Sequence, residues 1–146
     1  MPLQLVPHIH RATHRIGLYL ADLDRHRLSQ GEAHVLAQLA AASPATIKEL
    51  HHGLAHKRST LTSILDRLTQ RGFITRQVGL SDRRTFIITP TSTGRQVARQ
   101  VHRHLSDLER AIARRVTPAD LKAFVKVITA VEEEAQRAYV RLANNP

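Results

Sequence analysis

Between Lys57 and Arg84 the chain concentrates side chains that can hold a polyanion. Lys57, Arg58 and Arg67 carry fixed positive charge. Ser59, Thr60, Thr62 and Ser63 offer small hydroxyls at helical spacing. A second cluster, Asp82-Arg83-Arg84, sits in the loop "GLSDRR" between two β-branched runs. From His56 to Arg84 there are 7 basic and 2 acidic residues, a balance of +5 within a chain total of +10. Half of the net charge thus lies in about a fifth of the sequence. Guanidinium and ammonium groups neutralise phosphates, and short hydroxyls bond to phosphates or to base edges without holding a helix away from them. The bland alternative is an amphipathic helix and a loop tip that are merely solvated. The two clusters occurring together argue against it.

The elements that must position these groups follow from periodicity. Leu61, Ile64, Leu65 and Leu68 form a helical stripe across Lys57–Arg71, with Ser59, Thr62, Ser63, Asp66 and Gln70 opposite. Gly72 supplies the left-handed residue that stops such a helix. A shorter helix, about Thr46 to Leu54, precedes it. "FITRQV" and "TFIIT" read as two short strands, which makes "GLSDRR" the tip of a hairpin. Two short helices joined by a turn and followed by a hairpin make a winged helix-turn-helix. In that arrangement the second helix enters the major groove of double-stranded DNA and the hairpin tip reaches the backbone or the minor groove.

Long helices flank this lobe. Ile9, Ala12, Ile16, Tyr19, Leu20 and Leu23 are helically spaced from His8 to about Arg27. Ser29 and Glu32 form a capping box for a helix over Gln30–Ala41 with Ala33, Leu36, Leu39 and Ala40 inward. Thr91 can cap a helix running to about Val116, with Val97, Val101, Leu105, Leu108 and Ile112 on one face. Thr117 and Pro118 restart the chain. The last helix carries Leu121, Phe124, Val125, Ile128, Val131, Ala135, Tyr139 and Leu142. A helix of about 25 residues is about 37 Å long, more than the small lobe can cover. The surplus apolar length predicts a second copy of the chain, a homodimer.

"IKELHHGLAHKRSTLTSILDRLTQRGFITRQ" followed by "SDRRTFIITPTSTG" resembles the MarR family of bacterial transcriptional regulators. Leu68, Gly72, Phe73 and Ile74 match the pattern that ends its second helix. Asp82, Arg83 and Arg84 match its wing, and Thr91 and Gly94 match the opening of its next helix. Pro90 stands where the family usually has Leu, Lys57 where Ser usually starts the helix, and His51 and His52 replace small or polar residues.

The resemblance implies one domain over 1–146, with a DNA-binding lobe at about 30–90 and dimerisation helices at about 5–28 and 91–146. The expected class is mainly α: a winged helix-turn-helix with a two-stranded β wing and long terminal dimerisation helices. The resemblance also implies a pseudo-palindromic operator, a repressor, a small-molecule effector near the first helix and Tyr19, and a wing in which Asp82 holds an Arg rather than touching DNA. The expected DNA contacts are Lys57, Arg58, Ser59, Thr60, Thr62, Ser63, Arg67, Arg83 and Arg84.

Other chemistry is poorly supported. The chain has no Cys, which removes thiolate metal sites, disulfides and a cysteine redox switch. The pairs His10/His14 and His52/His56 share helix faces, but no Asp or Glu clearly completes a ligand set. A His-ligand metal-responsive regulator of the same fold therefore stays an alternative, and no metal or cofactor is expected. Ser59 with His56 could be named nucleophile and base, yet no phosphate-binding Gly loop or carboxylate pair accompanies them, so an enzyme is not expected. The N-terminus lacks a signal-peptide core, and no run approaches the roughly 18 apolar residues of a membrane span. A cytoplasmic protein without membrane association is the expectation. A nonspecific architectural DNA-binding protein is the other reading that shares this charge and dimer.

Overall fold

The computed structural model describes residues 2–22, 26–54 and 57–145. Leu23 in the first stripe and His56 of the second His pair lie outside these residues. The order is α1 (Val6–Asp22), α2 (Gln30–Ala41), β1 (Ala45–Thr46), α3 (Ile47–Leu54), α4 (Arg58–Gln70), β2 (Ile74–Val78), β3 (Phe86–Pro90), α5 (Ser92–Ala113) and α6 (Pro118–Ala143). The chain divides into two compact units, residues 1–105 and 106–146.

The first unit is built around one aliphatic core. Val35, Leu36 and Leu39 of α2, Leu50 of α3, Leu61, Leu65 and Leu68 of α4, Ile88 of β3 and Val97 of α5 are fully buried. The expected stripes of α2 and α4 are the buried ones, except that Ala40 is exposed and Val35 takes its place inside. The α2 capping box is present: Ser29 Oγ accepts from Glu32 N–H at 3.2 Å, and Glu32 Oε2 accepts from Ser29 N–H at 3.0 Å.

Helix α4 ends where Gly72 was expected to end it. Gly72 has φ +72°. Its N–H donates to Thr69 O, and Phe73 N–H donates to Leu68 O, both at 3.0 Å. This double bond pattern closes the helix and points Phe73 back into the core beside Leu68.

Two differences from expectation have plain causes. Helix α1 ends at Asp22, and Arg27, expected in its last turn, has φ 48° in the connection to α2. Thr46, expected to open α3, lies in a third strand. Strand β1 pairs with β3 through Ala45↔Ile88 and Thr46↔Ile87, so the sheet order is β1-β3-β2. Two residues of strand cannot show periodicity, which is why the sequence carries no sign of β1.

The second unit holds the end of α5 and all of α6. Thr117 caps α6: its Oγ1 accepts from Asp120 N–H at 3.2 Å, and Asp120 Oδ2 accepts from Thr117 N–H at 2.8 Å. No residue of α6 is buried. Phe124 is 58% exposed, Tyr139 56% and Leu142 76%. The apolar stripe read from the sequence exists, and within this unit it is not buried.

Candidate nucleic-acid interface

Helix α4 presents its polar face to solvent. Ser59, Thr60, Thr62, Ser63, Asp66, Arg67 and Gln70 are all exposed, while Leu61, Ile64, Leu65 and Leu68 point inward. The hydroxyls are not idle. Thr62 Oγ1 donates to Arg58 O at 2.9 Å and Ser63 Oγ donates to Ser59 O at 3.1 Å. Each keeps its lone pairs facing outward, and each can rotate its proton to another acceptor. Lys57 occupies the cap position of α4 and its side chain, which cannot accept, makes no cap hydrogen bond. The first turn also has no acidic residue. Its outward N–H groups and positive dipole end thus favour an anion. Lys57 and Arg58 are exposed beside it.

The wing is the β2–β3 hairpin, with Ile74↔Pro90 at its base and Val78↔Phe86 at its outer end. Its tip is a compact turn. Gly79 N–H donates to Thr85 O at 2.8 Å, and Thr85 N–H donates to Asp82 O at 3.1 Å. Asp82 Oδ1 accepts from the backbone N–H of Arg84 at 2.9 Å. The expected role of Asp82 is therefore refined: it holds Arg84 by its main chain. A Cβ on Gly79 would lie 2.9 Å from Asp82 O and 2.8 Å from Thr85 Oγ1, so only Gly fits this turn. Arg83 and Arg84 are exposed at the tip. Among the described residues, neither has a carboxylate within ion-pair distance.

Wing and helix are tied together. Arg76 of β2 forms an ion pair with Asp66 of α4, and its Nε donates to Thr69 Oγ1 at 3.3 Å. Asp66 would otherwise place an unpaired carboxylate on a face suited to phosphates. Arg76 neutralises it.

Arg67 is placed differently from the other basic residues. Its Nε donates to Glu32 Oε1 at 2.9 Å, while about half of its side chain remains exposed. Glu32 is 3% exposed, and its other oxygen accepts from Arg71 Nη1 at 3.0 Å. Arg71 also donates to the carbonyl of His26 and lies over the Phe73 ring, 5.0 Å from its centroid. The sequence reading found Glu32 as a capping residue and missed these longer-range bonds. Another missed cap was legible: Thr46-x-x-Glu49 repeats the capping-box pattern. Glu49 Oε2 accepts from Thr46 N–H at 2.7 Å. That backbone bond, followed by the Thr46 hydroxyl, lowers the Glu49 carboxyl below its usual range.

Among the described residues, no group of three or more His, Cys, Asp or Glu is arranged to hold a metal ion. Among the same residues, no helix is long and apolar enough to cross a membrane.

Residues 28–86 match the model of the MarR family. In this segment the chain is similar to the MarR family. The matched region runs from the end of the α1–α2 connection to the start of β3, so it contains both candidate contact clusters. The "Uncharacterized HTH-type transcriptional regulator YcgE" of Bacillus subtilis is 28% identical over 130 residues, covering 86% of this chain and 78% of that protein. The PcaV transcriptional regulator from Streptomyces coelicolor, solved in complex with its natural ligand, has a TM-score of 0.75 at 18% identity. That likeness covers 92% of this chain and 99% of PcaV. A Staphylococcus aureus MepR–DNA complex has a TM-score of 0.79 at 15% identity, over 91% of this chain and 99% of MepR. At such identities the structural likeness shows the fold, the MarR-family winged helix. The family that residues 28–86 match is one of transcriptional regulators.

Proposed function

We propose that this protein is a MarR-type, sequence-specific DNA-binding repressor acting as a homodimer on a pseudo-palindromic operator. One observation carries the reading. Helix α4 exposes a face of small hydroxyls and starts at Lys57, whose side chain makes no cap hydrogen bond, and the same lobe carries an Arg83-Arg84 wing tip with no ion-pair partner among the described residues. Helix α4 enters the major groove, where Ser59, Thr60, Thr62 and Ser63 meet base edges and phosphates. Lys57, Arg58 and Arg67 neutralise the adjoining backbone. Arg83 and Arg84 reach the neighbouring backbone or minor groove. MepR, a protein of the same fold, has been solved on DNA, which supports this mode.

The exposed stripe of α6 supports a second copy of the chain. Two copies carry two reading heads, each on one half-site, about one helical turn apart. A small molecule that changes their separation changes affinity. The likeness to PcaV, solved with its natural ligand, supports that step for this chain. Such a protein acts in the cytoplasm, where the chromosome lies.

The experiment compares binding to the gene's own upstream region with binding to scrambled DNA at one salt concentration. Strong preference for the upstream region is expected. Equal affinity for both would favour an architectural DNA-binding protein instead. Genome-wide recovery of bound DNA, with and without candidate effectors, then defines the operator and the signal.

A further inference from the structure

Glu32 lies on α2, away from the exposed face of α4, yet it bonds to that helix twice. Its carboxylate is almost fully buried. It accepts from Ser29 N–H, from Arg67 Nε and from Arg71 Nη1 at 3.0, 2.9 and 3.0 Å. A buried carboxylate is tolerated only when its oxygens are satisfied and its charge is matched. Here Arg67 of α4 and Arg71, the residue at its C-terminal cap, do both. They differ in environment: the Arg67 side chain is 49% exposed and the Arg71 side chain 30%. Arg71 is further held by the His26 carbonyl and the Phe73 ring. For the Arg67 side chain, Glu32 is the one hydrogen-bond partner found among the described residues.

A free arginine at a DNA interface loses rotamer entropy when it binds a phosphate. Fixing it beforehand removes much of that loss. A guanidinium is planar, so a bond at Nε sets the plane of the whole fork. The two Nη groups then have a defined direction before any ligand arrives.

We propose that Glu32 is a positioning residue for DNA binding: its buried carboxylate fixes the Arg67 guanidinium by Nε and presents the remaining nitrogens to a DNA phosphate. This rests on the DNA-binding reading above. The phosphate-facing group is Arg67. Glu32 acts through it and touches no DNA. The carboxylate–guanidinium–phosphate chain also sets the distance between α2 and the DNA backbone.

The test is binding of the full-length protein to its upstream DNA, measured against salt for wild type and for Glu32→Gln, Arg67→Ala, Arg67→Lys and the double variant Glu32→Gln/Arg67→Ala. Thermal unfolding of each is measured alongside. Arg67→Ala should weaken binding about tenfold and lower the salt slope by about 1. Glu32→Gln leaves the Arg67 charge in place, so affinity should fall while the slope stays near wild type. Arg67→Lys keeps the charge but loses the Nε anchor, and should match Glu32→Gln. In the Arg67→Ala background, Glu32→Gln should cause no further loss. A purely structural Glu32 would instead weaken binding equally in both backgrounds, which overturns the proposal. If Glu32→Gln does not fold, Arg67→Lys with wild-type affinity overturns it alone. An Arg67→Ala protein with unchanged affinity and slope also overturns it while leaving the DNA-binding reading intact. Wild-type protein that binds no upstream DNA removes that reading instead.

Discussion

Gly94 and the carbonyl oxygen of Phe73 are in contact that no side chain could share: a Cβ on Gly94 would lie 1.7 Å from that oxygen. Phe73 is the first residue after the left-handed stop of α4, and Gly94 is in the first turn of α5. Thr91 fastens the same junction. Its N–H donates to Phe73 O at 3.0 Å, its Oγ1 donates to Gly72 O at 2.6 Å, and that Oγ1 accepts from Gly94 N–H at 3.0 Å. The end of α4, the base of the wing and the start of α5 are thus one packed joint.

Gly94→Ala should therefore push α5 away from that joint. Overpacking of this kind costs about 1–3 kcal/mol, and more where the clash is with backbone. Chemical denaturation of the full chain measures it. A variant as stable as wild type would show that the joint opens freely.

Acid should weaken the start of α6. The Thr117 hydroxyl, and after it the Thr117 backbone N–H, hold the Asp120 carboxyl below its ordinary value of 3.8. A folded value below the unfolded one stabilises the fold above the unfolded value, and that stabilisation is lost as pH falls through the folded value. The Tm difference between wild type and Asp120→Asn should thus shrink as the pH falls below the ordinary value of 3.8 and through the lower folded value. A difference that stays constant over that range would rule out the linkage. Thr117→Ala removes the cap itself and should cost about 1 kcal/mol at neutral pH.

The reading helix and the wing should fail in different ways. Changing Thr62 or Ser63 should alter which sequences bind, by about 1–3 kcal/mol at a contacted base pair. Arg83→Ala or Arg84→Ala should weaken operator and random DNA alike and lower the salt slope by about 1 for each lost phosphate contact. Asp82→Ala should also weaken binding, because the Arg84 backbone loses its bond to the Asp82 carboxylate. Binding against log salt on both DNAs separates these effects. An Arg83/Arg84 double variant with wild-type affinity and slope would remove the wing from the mechanism.

Deleting residues 121–146 should give aggregated or unfolded chain. In the proposed dimer the α6 stripe is covered by the second copy, and the truncation would remove it. Light scattering and sedimentation measure this against a wild-type dimer. A folded, DNA-binding monomer from this truncation would refute the dimer held by terminal helices.

The sequence by itself determined the six helices α1–α6, the hairpin and their order. The α4 stripe, the Gly72 stop, the Ser29/Glu32 and Thr117 caps and the hairpin around "GLSDRR" are local signals. Each depends on residues within a few positions of one another, so spacing and side-chain type suffice to read them. The charge cluster was legible for the same reason, since Lys57–Arg67 and Arg83-Arg84 are counted directly along the chain. Only the tertiary structure decided what the buried and close-packed groups do. Glu32 reaches Arg67 and Arg71 across 35 and 39 residues. Arg76 neutralises Asp66 from the neighbouring strand. Strand β1 exists because β3 offers it an edge, and Gly94 is required because Phe73 lies against it. A hydrogen bond or a steric contact depends on separation in space. No property of residues 32 and 67 taken singly reveals that folding brings them within 2.9 Å of each other.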